Sequence, residues 1–329
     1  MPKPNSGDLH VNRPLTNMSL AVFQDMAGFV ADRICPTIPS EVRSDLYYRF
    51  DETYWNRDGL RKRAPGAAAH SLSYTVDKTP NFYCDVWAGA HPIPDQNRNN
   101  QDDPLDLDSQ GMEFVIRMAK IRKEKIFVTN LFSTGLWTTE YTGISGSTSG
   151  TNRKHWSDVA SDPITDVSTG KLAIMGRTGL KPNKLVVGAE VHEKLKNHPD
   201  IIDRVKYSSS PGSPAIVNRQ SLAALFEVEQ YEVMEAIEET SNVGGTAAPT
   251  FIGGKHAMLC YVAARPGVMT PSAAYNFAWT GHIGATREGY RLKKFRVEKE
   301  ASDYIEIELA IDMKLTAANL GAFWNGIIA

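Results

Sequence analysis

The sequence predicts an α+β protein, and three observations carry that prediction. The segment "YIEIELAIDMKL" near the C-terminus alternates apolar and polar residues. The stretch from about Ser109 to Ser133 has no proline and a single glycine, Gly111. Between about 158 and 280, strand-like and helix-like pieces mix without a clean βαβ repeat, which argues against a doubly wound sheet.

The alternating segment sets Ile305, Ile307, Leu309, Ile311 and Met313 on one face and Glu306, Glu308, Asp312 and Lys314 on the other. That is the period of a strand with one covered face. Upstream, "YRLKKFRVEKE" carries Tyr290 and Leu292, then Phe295 and Val297. The apolar parity slips at Lys293–Lys294, so a β-bulge is expected there. Its basic residues would oppose Glu306 and Glu308 across a long antiparallel hairpin over 289–314.

The proline-free stretch predicts a long helix over 109–133. Asp102, Asp103, Asp106 and Asp108 precede or open it, where negative charge suits the helix dipole. Glu113 with Arg117, and Lys120 with Glu124, stand at i,i+4 and can pair.

The first residues, through "VNRPLTNMSLAVFQ", are polar and contain three prolines before Ala21, so they are expected to form an extended arm. "LAVFQDMAGFVADRICP" predicts a short helix ending at Pro36. From Ser44 to Pro94 the pattern is that of strands. "SLSYTV" alternates Leu72, Tyr74 and Val76 with small polar residues, and "NFYCDVWAG" is rich in aromatic and β-branched residues. In the middle segment "NKLVVG", "QYEVMEAI" and "HAMLCYVAA" read as strands, "AEVHEKLKNHPD" as a helix stopped at Pro199, and "SLAALF" as a helical turn.

Composition narrows the function. The chain has 329 residues, 42% hydrophobic and 22% charged, with a formal net charge of −2. Near neutrality argues against a dedicated nucleic-acid binder, which needs many cations to displace counterions. No apolar run approaches membrane-spanning length, and the N-terminus lacks a hydrophobic signal core, so a cytoplasmic origin is expected. Cys35, Cys84 and Cys260 are far apart, without a C-x-x-C pair, so neither structural zinc nor a disulfide framework is expected.

The fragments that tempt a catalytic reading each lack a needed part. "FIGGKH" resembles a phosphate loop, but Pro249 stands where the earlier glycine belongs and His256 where the hydroxyl residue belongs. "GSTSG" resembles a nucleophile elbow, but Thr148 holds its centre. His192 and His198 are six apart, on opposite sides of a helix. The aspartates at 102–108 lack the glycine and glutamate of a calcium loop. No catalytic residue, cofactor or metal is expected.

The remaining feature is "DETYWNRDGLRKRAPGAAAH", with Arg57, Arg61, Lys62 and Arg63 between strand-like runs. It looks like the tip of a two-stranded projection, which is marginal in water unless its apolar side is covered. Three readings compete for it: a plain solvated loop, nucleic-acid contact, which the near-neutral charge weakens, and docking on an acidic surface, which Asp102, Asp103, Asp106 and Asp108 supply. These eight residues are the candidate inter-subunit contacts between copies of the chain.

The order of parts resembles the major capsid proteins of tailed bacteriophages, which share the Hong Kong 97-type fold. The resemblance rests on "VNRPLTNMSLAVFQ", "FVADRICPTIPS", "FDETYWNRDGLRKRAPG", "HPIPDQNRNNQDDPLD", "GLKPNKLVVGAEVHEKLKNHPDIIDRVKY", "SLAALFEVEQYEVMEA" and "PSAAYNFAW", which look like successive segments of a siphophage-type family. It implies an N-terminal arm over 1–40 and an extended β-hairpin loop with its flanking strands over 41–98. A peripheral domain would take 99–180 and 285–315, with the long helix as its spine, and an axial domain 181–284 and 316–329. It implies hexamers and pentamers of an icosahedral head around double-stranded DNA held without sequence specificity. Portal, scaffolding and decoration proteins are the implied partners, with no membrane. A scaffold, if used, would be a separate protein, because the fold-like sequence begins within about a dozen residues of Met1. The location implied is the virion, after synthesis in the host cytoplasm. An encapsulin-type cellular nanocompartment is the alternative, and a soluble hydrolase a remote one.

Overall fold

A computed structural model describes residues 26–50, 56–99, 106–208, 217–242, 244–267, 269–282 and 286–329. The expected N-terminal arm up to residue 25, and Asp102 and Asp103, lie outside the described residues.

Two sheets organise the chain. The first is built on the alternating segment, which forms a 14-residue strand β16 (Ser302–Leu315). On one side of it run β14 (Ala274–Trp279) and β15 (Tyr290–Val297), and on the other β6 (Asp85–Pro94), all antiparallel to it. β1 (Thr37–Ser40) extends the sheet parallel to β14. The faces fall as the alternation requires: Ile305, Ile307, Leu309, Ile311 and Met313 are all buried. On the opposite face Lys293 pairs with Glu306 at 2.9 Å, and Arg291 with Glu308 at 3.3 Å.

The expected bulge is absent. The register runs one for one from Tyr290 opposite Leu309 to Val297 opposite Ser302. The parity slip is absorbed by a side chain instead. Phe295 turns to the outer face and stacks on Tyr304, with ring centroids 5.7 Å apart. An aromatic pair across the strands stabilises that placement without an inserted residue.

The second sheet is mixed. Its order is β10 (Gln230–Met234), β9 (Lys184–Gly188), β13 (Ala257–Cys260), β17 (Gly321–Asn325), β7 (Thr139–Ile144), β8 (Asn152–Lys154). β13 is antiparallel to both neighbours, while β9–β10, β17–β7 and β7–β8 are parallel. Its core includes the fully buried Trp156 and Trp324, whose rings lie 5.9 Å apart.

Among the described residues seven α-helices accompany the sheets. The first two are α1 (Ala31–Ile34) and α2 (Asp95–Asn99). The longest is α3 (Leu107–Asn130), shifted by two or three residues from the expected span because Asp106 is its cap. α4 (Pro163–Thr178) was not expected, yet Asp162 accepts the Thr165 N–H at its start and Gly179 closes it in the left-handed region. α5 (Ala189–Lys196) ends as expected, but Pro199 then opens α6 (Pro199–Ser208) rather than a loop. Proline suits a first helical turn, where its missing N–H has no partner to lose. α7 (Arg219–Leu225) closes a capping box on Asn218.

α3 lies across the first sheet and buries Gly111, Val115, Ala119, Lys123, Glu124 and Phe127. Of the two expected i,i+4 pairs, Glu113–Arg117 forms at 2.6 Å. Glu124 turns inward instead, to the backbone of α1, and Lys120 stands 3.9 Å from Asp32.

Candidate functional site

The ribbon leaves the first sheet through two short ladders. β2 (Ser44–Leu46) pairs with β5 (Asn81–Tyr83), and beyond them β3 (Arg49–Phe50) pairs with β4 (Val76–Asp77). Its root is anchored. Phe82 stacks on Phe277 with centroids 4.3 Å apart, Tyr47 lies 5.4 Å from the same ring, and Cys84 is fully buried beside them. The Arg49–Asp77 pair at 2.9 Å clips the legs together.

Past that clip the ladder stops. Residues 57–75 belong to no strand, so "SLSYTV" forms strand only at its last residue, Val76. Its apolar side chains stay largely in solvent: Leu72 is 60% and Tyr74 58% exposed, and Leu60 at the tip is 84% exposed. Arg57, Arg61, Lys62 and Arg63 are all exposed. Among the described residues none of the four pairs with an acidic side chain; Arg63 donates to the carbonyl of Ala67 within the loop.

The acidic counterpart is the start of α3. Asp106 caps it, accepting the Asp108 N–H at 3.1 Å and the Ser109 hydroxyl. The Ser109 hydrogen bond holds its carboxyl below the usual range. Asp108 accepts from Arg98 at 2.8 Å and Lys294 at 2.7 Å, which ties α2, α3 and β15 into one junction. Arg296 completes the junction with two bonds to Asp95, at 2.9 and 2.6 Å. Among the described residues no ion pair joins the basic loop to Asp106 or Asp108 of its own chain. Sequence reasoning missed the role of Arg98, Lys294 and Arg296 in this junction, because their partners are ten to two hundred residues away.

The fragments that resemble catalytic motifs make local contacts. Gly253 and Gly254 turn the chain into β13, and His256 Nδ1 accepts the Gly326 N–H at 3.1 Å. Thr148 lies in the loop between β7 and β8, its hydroxyl 3.2 Å from the Lys154 N–H. His198 is buried with Nε2 3.1 Å from the Ser161 hydroxyl, and His192 meets Tyr231 at 3.0 Å. Among the described residues, no group of three or more His, Cys, Asp or Glu could hold a metal ion. The three cysteines are free and buried, and burial pushes the Cys84 and Cys260 thiols up to about 12, far from the reactive thiolate. No described helix is long and apolar enough to cross a membrane.

Known proteins similar to the chain in sequence or fold include phage proteins. No family model matches the chain. Over 235 residues, 69% of each chain, it is 26% identical to the major capsid protein of Burkholderia phage BcepMu. Its fold is similar to the crystal structure of a phage-related protein from Bordetella bronchiseptica RB50, with a TM-score of 0.69, 20% identity, and 93% and 94% of the two chains covered. It is also similar to the mature capsid of bacteriophage PhiM1, with a TM-score of 0.55, 12% identity, and 93% and 88% covered. The chain has the Hong Kong 97-type capsid fold, in which helices and sheets mix as described. The sequence relative is a phage major capsid protein, and the similar solved structures include phage capsids.

Proposed function

We propose that the chain self-assembles into hexamers and pentamers that close an icosahedral head around double-stranded DNA, and that it resides in the virion. The observation that carries this reading is the ribbon. Residues 57–75 hold exposed Leu60, Leu72, Arg57, Arg61, Lys62 and Arg63 on backbone that belongs to no strand. Backbone and apolar side chains this exposed gain burial and pairing by docking on another molecule. Each contact is modest, but a subunit in a closed shell makes many at once, so the whole is tight.

In this reading the first sheet with α3 forms the peripheral domain and the second sheet with its helices the axial domain near the capsomer axes; β7, β8 and α4 thereby leave the expected peripheral span 99–180 for the axial side, and β14 leaves the expected axial span 181–284 for the peripheral side. The ribbon's Arg57, Arg61, Lys62 and Arg63 dock on the acidic α3 start of a neighbour, made by Asp102, Asp103, Asp106 and Asp108. A net charge of −2 suits a wall that must not bind the packed duplex tightly. A portal fills one vertex, and scaffolding or decoration proteins are further partners. The sequence relative, a phage capsid protein, favours a phage head over a cellular cargo-enclosing compartment.

Electron microscopy of the purified protein tests this. Closed particles built of five- and six-fold capsomers are expected. A cellular cargo protein that co-purifies inside them would favour the compartment instead.

A further inference from the structure

Two edges of the first sheet are unlike each other. β15 carries Arg291, Lys293, Lys294 and Arg296 within eight residues, the kind of charge that keeps an edge from pairing. β6 has no such protection. Among the described residues it pairs only with β16, and from Val86 to Pro94 it contains no Asp, Glu, Lys or Arg. Val86 and Trp87 are 37% and 39% exposed, and Ala88, Gly89 and Ala90 are exposed as well.

Pro92 and Pro94 fix which backbone groups point outward. Neither has an N–H, so both sit where β16 needs none. Val86, Ala88 and Ala90 share their parity, so their N–H and C=O groups turn to the open edge. On the face toward α3, Trp87, Gly89 and His91 lie opposite Leu309, Ile307 and Ile305. Nothing lies within 4 Å of where a Cβ of Gly89 would stand, which leaves a notch between Trp87 and His91. α3 borders it with exposed Phe114, whose ring is 5.5 Å from His91, and with Met118, 46% exposed. The Arg122 guanidinium lies 3.6 Å over the Trp87 ring.

Residues 71–75, Ser-Leu-Ser-Tyr-Thr, have the matching pattern. They alternate small polar and large apolar side chains, belong to no strand, and expose Leu72 and Tyr74. The β3–β4 and β2–β5 ladders carry them away from β6 of their own chain.

We propose that residues 71–75 of a second copy add to β6 as an antiparallel strand, with Ser73 opposite Ala88. This rests on the shell reading above and adds the surface that receives the ribbon. In this register Leu72 stands at the Gly89 notch and Tyr74 beside Trp87, while Ser71, Ser73 and Thr75 lie against Ala90, Ala88 and Val86. Main-chain bonds supply affinity, and the notch selects the register. The direction also has a consequence for charge. Residues preceding Ser71 pass beyond Ala90 toward Asp95 and the start of α3, which brings Arg57, Arg61, Lys62 and Arg63 to Asp106 and Asp108.

The test is a cysteine pair, Ser73→Cys with Ala88→Cys, in the full chain, oxidised as assembled particles. The expected result is a ladder of covalently linked subunits on a denaturing gel, absent from either single variant. Ala88→Pro is the second variant. It removes an outward N–H that β16 does not use, so the subunit's melting temperature should hold while particle yield and particle melting temperature fall. Particles of the double variant without a ladder, or Ala88→Pro particles with wild-type yield and stability, overturn the strand addition and leave the shell reading standing. A wild-type chain that forms no particles overturns the shell reading itself.

Discussion

Glu124 Oε2 accepts a 3.0 Å hydrogen bond from the backbone N–H of Ala31, 93 positions earlier in the chain. Its other oxygen accepts the Val30 N–H at 3.0 Å, so one carboxylate from the middle of α3 caps α1. The neighbouring Lys123, also buried, pairs with Asp32 of the same short helix and lies 5.1 Å from the Tyr290 ring. A four-residue helix cannot hold itself together in water, and these two side chains fasten it.

That joint predicts a pH dependence. Burial raises the Glu124 carboxyl from 4.5 to about 7, against the opposing pull of the Val30 and Ala31 N–H groups. Asp32 raises it further and Arg33 lowers it. With a folded value above the unfolded one, the contribution to stability is full below about pH 4.5 and is lost as pH rises through about 7. The upper bound is about 3 kcal/mol, from roughly 1.4 kcal/mol per unit of difference. Denaturant melts from pH 5 to 8 should show declining stability in the wild type and a flatter profile in Glu124→Gln. Parallel profiles would remove Glu124 as the titrating group.

Gly170, inside α4, packs directly on Trp324. A Cβ there would stand 2.7 Å from Trp324 Cη2 and 2.8 Å from Cζ2. Alanine would raise helix propensity by about 1 kcal/mol, but the indole is fully buried and cannot retreat cheaply. Gly170→Ala should therefore lower stability by about 1–2 kcal/mol net, read as a drop in melting temperature. A rise would mean that the second core yields easily at Trp324.

Ile307→Asp should prevent folding. Ile307 is 6% exposed in the core between α3 and the first sheet, and an unpaired carboxylate there costs several kcal/mol. Soluble expression with a native circular-dichroism melt would contradict the face assignment of β16.

Much of the fold was legible where a pattern is local. β16 was readable because its alternation holds over the whole strand, and α3 because twenty-odd residues lack a breaker. α4 has marks at both its ends in Asp162, Pro163 and Gly179, but its apolar face is too weak to give a clear helical period. What could not be read was pairing at a distance. The parallel β9–β10 and β7–β17 contacts leave no local trace, and Glu124 looked like a partner for Lys120 until the fold brought Ala31 to it. Phe295 misled because a one-residue parity slip has two solutions, a bulge or an outward aromatic, and Tyr304 decides between them from the other strand. The candidate contacts were legible as charge runs. That Asp108 would already bind Arg98 and Lys294 was not, because Lys294 approaches from 186 residues away.

Neutralising Arg61, Lys62 and Arg63 to glutamine should reduce particle yield without changing the subunit melt, because among the described residues these side chains support no acidic partner in their own chain. Raising ionic strength should imitate the substitution, since exposed charges are screened beyond about 8–10 Å in ordinary buffer. Wild-type yield across salt would count against electrostatic docking of the loop.

Hydrogen exchange on residues 57–75 tests the central idea most directly, with dissociated subunits and assembled particles compared by mass spectrometry. Slow exchange of this segment in particles, with near-unprotected exchange in subunits, is the result predicted for a ribbon that finds its partners on another copy. Equal protection in both states would show that the ribbon is satisfied by its own chain, and the account would fail.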